Sequence, residues 1–293
     1  MRTRSLFLAS AIGVALLGLA GSASAAPLIT TYSAQSSASA NGGIGTAIAI
    51  CPSGIVVGGG MGIETSYLQV GKNGYYSGPL GVGWEVDAKN TDPNQPETVA
   101  ATVNCLTGAP WSATLKQVTG TQSVSSKKSA TATTATCPSG YIMIAGGYIA
   151  GTTSTYAWGL DAFLDSTAST TTWKVSMYNP TSSSKTITAL GLCLKQSSGK
   201  APTMTQTKSF LTPEGISPSL CYANGKDVGY AVGGGFTALD PSVKGNTLYT
   251  ILNMFDEATG SGTGGEYDVD MEPAPDGDSI TTVSGYAECM KFN

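Results

Sequence analysis

The sequence predicts an all-β protein of three homologous units, five to six strands each, and three observations carry that prediction. The stretch Cys51-Pro52-Ser53-Gly54 leading to Gly58-Gly59-Gly60 returns as Cys137-Pro138-Ser139-Gly140 leading to Gly146-Gly147, and more loosely from Cys221 to Gly233-Gly234-Gly235. A second segment, Trp84-x-Val86-x-Ala88, matches Trp173-x-Val175-x-Met177 and Tyr267-x-Val269-x-Met271, with the two-residue alternation of a half-buried strand. Beyond the leader, no stretch sustains the i, i+3, i+4 apolar spacing of a helix.

Taken in order, residues 1–25 form a secretory signal peptide. Two arginines precede an apolar run that ends in small residues, with Ala23-Ser24-Ala25 as the cleavage triplet. No cysteine follows that could take a lipid, and no hydrophobic tail follows Cys289. A freely secreted product is expected. The early cysteines of the three units lie 86 and 84 residues apart, so the units are placed at 26–111, 112–197 and 198–293.

Within the first unit, Thr46 to Cys51 reads as a strand and Pro52-Ser53-Gly54 as a turn, because proline presets φ and glycine tolerates φ > 0. Ile55-Val56-Val57 opens the next strand, and the glycines that follow mark a bulge or the close approach of another backbone. Trp84 to Asn90 and Thr98 to Cys105 are the last two strands, matched by Trp173 to Asn179 and Thr186 to Cys193, and by Thr282 to Cys289. No proline-rich or long charged linker separates the units, so they pack together, as small β-sandwiches or as a pseudo-threefold β-prism.

Six cysteines in an exported chain are read as disulfides. Two pairings respect the repeat. Each unit closes on itself (Cys51 with Cys105, Cys137 with Cys193, Cys221 with Cys289), or each late cysteine joins the next early one. Closure within units is preferred, since it does not need the chain ends to meet. Each such loop constrains the unfolded chain by about 4 kcal/mol in the entropy model.

The pattern C-P-x-G, glycine triplet, W-x-V-x-x-x-N and terminal cysteine resembles a repeat of secreted proteins from actinobacteria and related bacteria, a group that implies no established activity. It is also similar to vitelline membrane outer layer protein, whose repeats carry a C-P-x-G start. That likeness implies three Greek-key sheets about a pseudo-threefold axis.

The absence of histidine excludes Ser-His-Asp and Cys-His catalysis and histidine-ligated zinc. A formal charge of −4 gives no overall footprint for nucleic acid or an anionic membrane, and Lys127-Lys128 reads as a solvated loop. Neither nucleic acid nor stable membrane insertion is expected. The glycine triplets lack the Lys-Ser/Thr and following helix of a phosphate-binding loop, so they are read as packing.

Glu266, Asp268, Asp270 and Glu272 alternate on one strand, with Asp276 and Asp278 close behind. Converging oxygens suit calcium, which makes Asp268, Asp270, Asp276 and Asp278 candidate ligands, against the plainer alternative of a solvated face. No other cofactor is expected. A carboxylate-pair glycosidase is a further alternative. Aromatic residues collect between the glycine cluster and the tryptophan strand, and rings on loops suit sugar stacking. Tyr75, Tyr76, Tyr156 and Trp158 are the candidate contacts. The expected function is non-enzymatic recognition of an extracellular glycan or cell-surface polymer, with a matrix protein lacking a discrete site as the alternative.

Overall fold

The computed structural model describes residues 27–63, 65, 67–109, 111–150, 158–164, 172–179, 181–211, 217–223, 226–237, 250–254, 266–272 and 283–292. The described part is all-β, without a helix. The leader lies outside it.

The first third supplies β1 (Leu28–Ala38), β2 (Ile44–Ile50), β3 (Ile55–Ile63), β4 (Leu68–Gly78), β5 (Gly81–Asn90) and β6 (Glu97–Thr107). They make two antiparallel layers, β1-β6-β3 and β2-β5-β4. Their inner faces carry Val99, Ala101 and Val103 on one side and Trp84, Val86 and Ala88 on the other, all buried. The alternation in the sequence is therefore the alternation of core and outside. The predicted turn is present, with Gly54 at φ 89° and its counterpart Gly140 at φ 80°.

The second third follows with β7 (Ala113–Val124), β8 (Ser129–Thr133), β9 (Ile142–Ile149), β10 (Trp158–Leu164), β11 (Trp173–Tyr178) and β12 (Lys185–Gln196). The last third runs through β13 (Thr203–Leu211), β14 (Ser217–Leu220), β15 (Tyr222–Ala223), β16 (Lys226–Asp227), β17 (Tyr230–Thr237), β18 (Thr250–Met254), β19 (Glu266–Glu272) and β20 (Val283–Lys291).

Sheets do not stop where the sequence units were divided. One six-stranded sheet, β2-β5-β4-β9-β12-β7, passes from the first third to the second through the pairs Lys72↔Ile149 and Asn73↔Tyr148. Another, β13-β20-β17-β10-β11-β8, joins the second third to the last through Ala162↔Phe236. The three-stranded sheets β1-β6-β3 and β14-β19-β18 complete the set, with β18 packed beside β3.

The glycine strands β3, β9 and β17 pack against one another. A Cβ on Gly58 would collide with the Val232 carbonyl, and one on Gly147 with the Asn73 carbonyl. Both sequence expectations for these glycines hold together, since the register also slips between Val56 and Gly58 and between Ala231 and Gly233. The missing side chains admit a neighbouring backbone at the centre of the fold.

Three disulfides, Cys51–Cys105, Cys137–Cys193 and Cys221–Cys289, have Cα separations of 5.7, 5.8 and 5.5 Å. Each early cysteine is thereby tied to the strand that ends its own third, the first of the two pairings allowed by the repeat.

Candidate functional site

The β4–β5 hairpin organises the aromatic candidates. Tyr75 stands opposite Trp84 and packs against the core, whereas Tyr76 stands opposite Gly83. Successive strand residues point to opposite faces, so the two tyrosines do not share one surface. The ring of Tyr76 lies over Gly78, where an added Cβ would meet its hydroxyl and ring edge. The hairpin tip beyond it exposes Leu80. Tyr76 is thus a half-buried ring flanked by positions without side chains, Gly78 and Gly83.

The rest of the candidate set is dispersed. Trp158 opens β10 opposite Tyr178, in a different sheet from β4, and Tyr156 lies outside the described residues. The carboxylates fall likewise. Asp268 and Asp270 occupy alternate positions of β19, opposite Met254 and Leu252, while Asp276 and Asp278 lie outside the described residues. Among the described residues, no cluster of three or more His, Cys, Asp or Glu side chains forms a metal centre.

The polar groups that the structure does organise are buried. Trp84 donates its indole N–H to Asn73 Oδ1 at 2.6 Å. Asn90 donates to the carbonyls of Ala38 and Gln95 and accepts from the Asp92 amide, while Asn179 donates to those of Val124 and Ser183 and accepts from Thr181. These two asparagines close their strands, as the sequence suggested, by pinning the following loop to the first strand of the same third. Asn104 spans further, donating to the Val232 carbonyl at 2.9 Å.

Glu288 is fully buried on β20 and accepts a hydrogen bond from Gln206 at 2.8 Å. Burial pushes its carboxyl up to about 8, opposed in part by that hydrogen bond. A raised carboxyl is the expected signature of a general acid, but this one is sealed from solvent and fits the interior of the fold.

One aromatic group escaped the sequence reading. Phe292 meets Trp111 at a centroid distance of 6.1 Å and Tyr230 at 5.4 Å. The three rings come from the segment after β6, the start of β17 and the segment after β20. No local spacing links residues so far apart, so periodicity could not find them.

No family model matches the chain, and no curated protein matches it in sequence.

Proposed function

We propose that the chain is an extracellular binding protein without catalytic activity, which recognises a glycan or other surface polymer through the Tyr76 face of the β4–β5 hairpin. The observation that carries this reading is the half-buried Tyr76 ring between Gly78 and Gly83. Ile50, across Gly83, and Glu85, two residues along β5, stand on the same face of the sheet, and an aromatic ring with an apolar and a polar neighbour suits the C–H face and hydroxyls of a pyranose. The signal-peptide pattern and the three disulfides support secretion, since such bonds persist in oxidising compartments.

We further infer that the thirds are homologous units about a pseudo-threefold axis. The shared order of β1-β6-β3, β7-β12-β9 and β13-β20-β17 supports this, as does the mutual packing of the glycine strands. Repetition would offer related surfaces to a polymer, so that weak contacts add through avidity.

The test is sedimentation of the mature protein with insoluble cellulose, chitin and xylan. Binding to at least one of these neutral polymers is expected, with loss on Tyr76→Ala at unchanged thermal stability. Undiminished binding by that variant, or no binding by the native chain, would overturn the assignment.

A further inference from the structure

The face that carries Tyr76 does not end at the hairpin tip. Antiparallel partners share a face, and the registers of β2, β5 and β4 set side chains in rows across it. Strand β5 contributes Gly83, Glu85, Asp87 and Lys89 at alternate positions, while Trp84, Val86 and Ala88 between them fill the core behind. On one side β4 sets Tyr76 opposite Gly83, Gly74 opposite Glu85 and Lys72 opposite Asp87. On the other, β2 sets Ile50, Ile48 and Ile44 opposite Gly83, Glu85 and Lys89. Apart from the buried Gly83 and Gly74, these residues are half-buried or exposed.

Charges on this face are balanced and only partly paired. Lys72 stands opposite Asp87 but makes its ion pair with Glu85, one row nearer Tyr76. Asp87 keeps a buried oxygen with no hydrogen-bond partner, and neither Asp87 nor Lys89 makes an ion pair among the described residues. Two carboxylates and two ammonium groups leave the strip without net charge. From Gly83 to Lys89 it runs about 20 Å along extended β5. The isoleucines of β2 border one flank, with Ile44 45% exposed, and on the other Leu190 of β12 lies against Gly74.

We propose that this face binds an extended, uncharged glycan over several sugar units, an inference that rests on the Tyr76 reading above and names the class of polymer the site takes. One pyranose covers only the end formed by Tyr76 and Ile50. The rest of the strip is filled by a chain, and a chain that follows one strand is itself extended, as β-linked backbones of the cellulose, xylan and chitin type are. The isoleucine border meets apolar C–H groups. Asp87 offers an acceptor and Lys89 offers donors to ring hydroxyls, and hydrogen bonds to charged groups are stronger than those between neutral ones. With no net charge, the strip gives a polyanion no attraction.

The experiment measures calorimetric affinities of the mature protein for cello-, xylo- and chito-oligosaccharides of two and six units, with polygalacturonate as the charged comparison. In at least one series the hexasaccharide should bind roughly tenfold or more tightly than the disaccharide, with no salt dependence. Asp87→Ala and Lys89→Gln should weaken hexasaccharide binding by roughly tenfold and roughly threefold, and disaccharide binding much less. Lys226→Gln on β16 is the control, and melting temperatures establish that each variant is folded. Equal affinity for the two lengths, undiminished hexasaccharide binding in the Asp87→Ala/Lys89→Gln double variant, or tighter binding of polygalacturonate overturns the inference while Tyr76-dependent binding stands. Absence of all binding, or binding indifferent to Tyr76→Ala, overturns the surface reading and this extension with it.

Discussion

Trp84 and Asn73 form a buried hydrogen bond between adjacent strands of one sheet, 2.6 Å from indole nitrogen to amide oxygen. The matching tryptophan, Trp173, has no acceptor for its buried indole nitrogen among the described residues. The register gives a reason. Asn73 faces Val86, and the position facing Val175 is held by Ala162, which carries no acceptor.

Trp84→Phe should therefore destabilise more than Trp173→Phe, because only the first leaves a buried amide oxygen unsatisfied, at a cost of about 1–3 kcal/mol. Asn73→Ala should cost a similar amount, and the Asn73→Ala/Trp84→Phe pair should be less damaging than the sum of its singles. Denaturant unfolding with disulfides intact gives all three values.

Gly58 and Gly233 occupy neighbouring positions at the centre of the fold but differ in room. A methyl on Gly58 collides with the Val232 carbonyl, whereas a methyl on Gly233 meets the Ala145 side chain at an ordinary 3.5 Å. Gly58→Ala is expected to destabilise by about 3 kcal/mol or more, as overpacking against rigid backbone does. Gly233→Ala should shift stability by under about 1 kcal/mol. Melting temperatures of the two variants decide the comparison.

Asn90→Ala and Asn179→Ala each remove two carbonyl partners and one acceptor from a buried loop closure. Each should cost about 2 kcal/mol. Faster amide exchange should centre on 91–96 in the first variant and 181–184 in the second, since each asparagine pins its own loop.

Glu288 links stability to pH. Its folded value of about 8 lies above the 4.5 of an unperturbed carboxyl. Between those values the unfolded chain releases the proton that the folded chain keeps, so stability contributed by the neutral carboxyl is full below about 4.5 and falls as pH rises toward 8. The total loss is about 5 kcal/mol at most. Glu288→Gln, which retains an acceptor for Gln206, should flatten that decline. Unfolding free energies at pH 5, 7 and 8.5 provide the check, and an unchanged slope in the variant would rule the mechanism out.

Much of the fold was legible because its signals are local. The strand at 84–90 shows itself through side chains that alternate between core and outside, and the turns at Gly54 and Gly140 through residues chosen for one backbone geometry. The cysteines narrowed their own pairing because the repeat imposes equal partners. The candidate site was less legible. Tyr75 and Tyr76 are adjacent in sequence, yet the pleat sends one to the core and the other outward. The Trp111–Phe292–Tyr230 group joins three distant segments, and local pattern is silent about such contacts.

By itself the sequence determined the all-β class, the glycine strands, the cysteine framework and the exclusion of histidine chemistry, since each follows from residue type and spacing. The tertiary structure decided where the sheets run. Backbone hydrogen bonds at Lys72↔Ile149 and Ala162↔Phe236 carry them past the unit boundaries, because an edge strand pairs with whichever edge packing brings alongside. It also decided why the glycines are glycines: the Val232 and Asn73 carbonyls fill the space that their side chains would need.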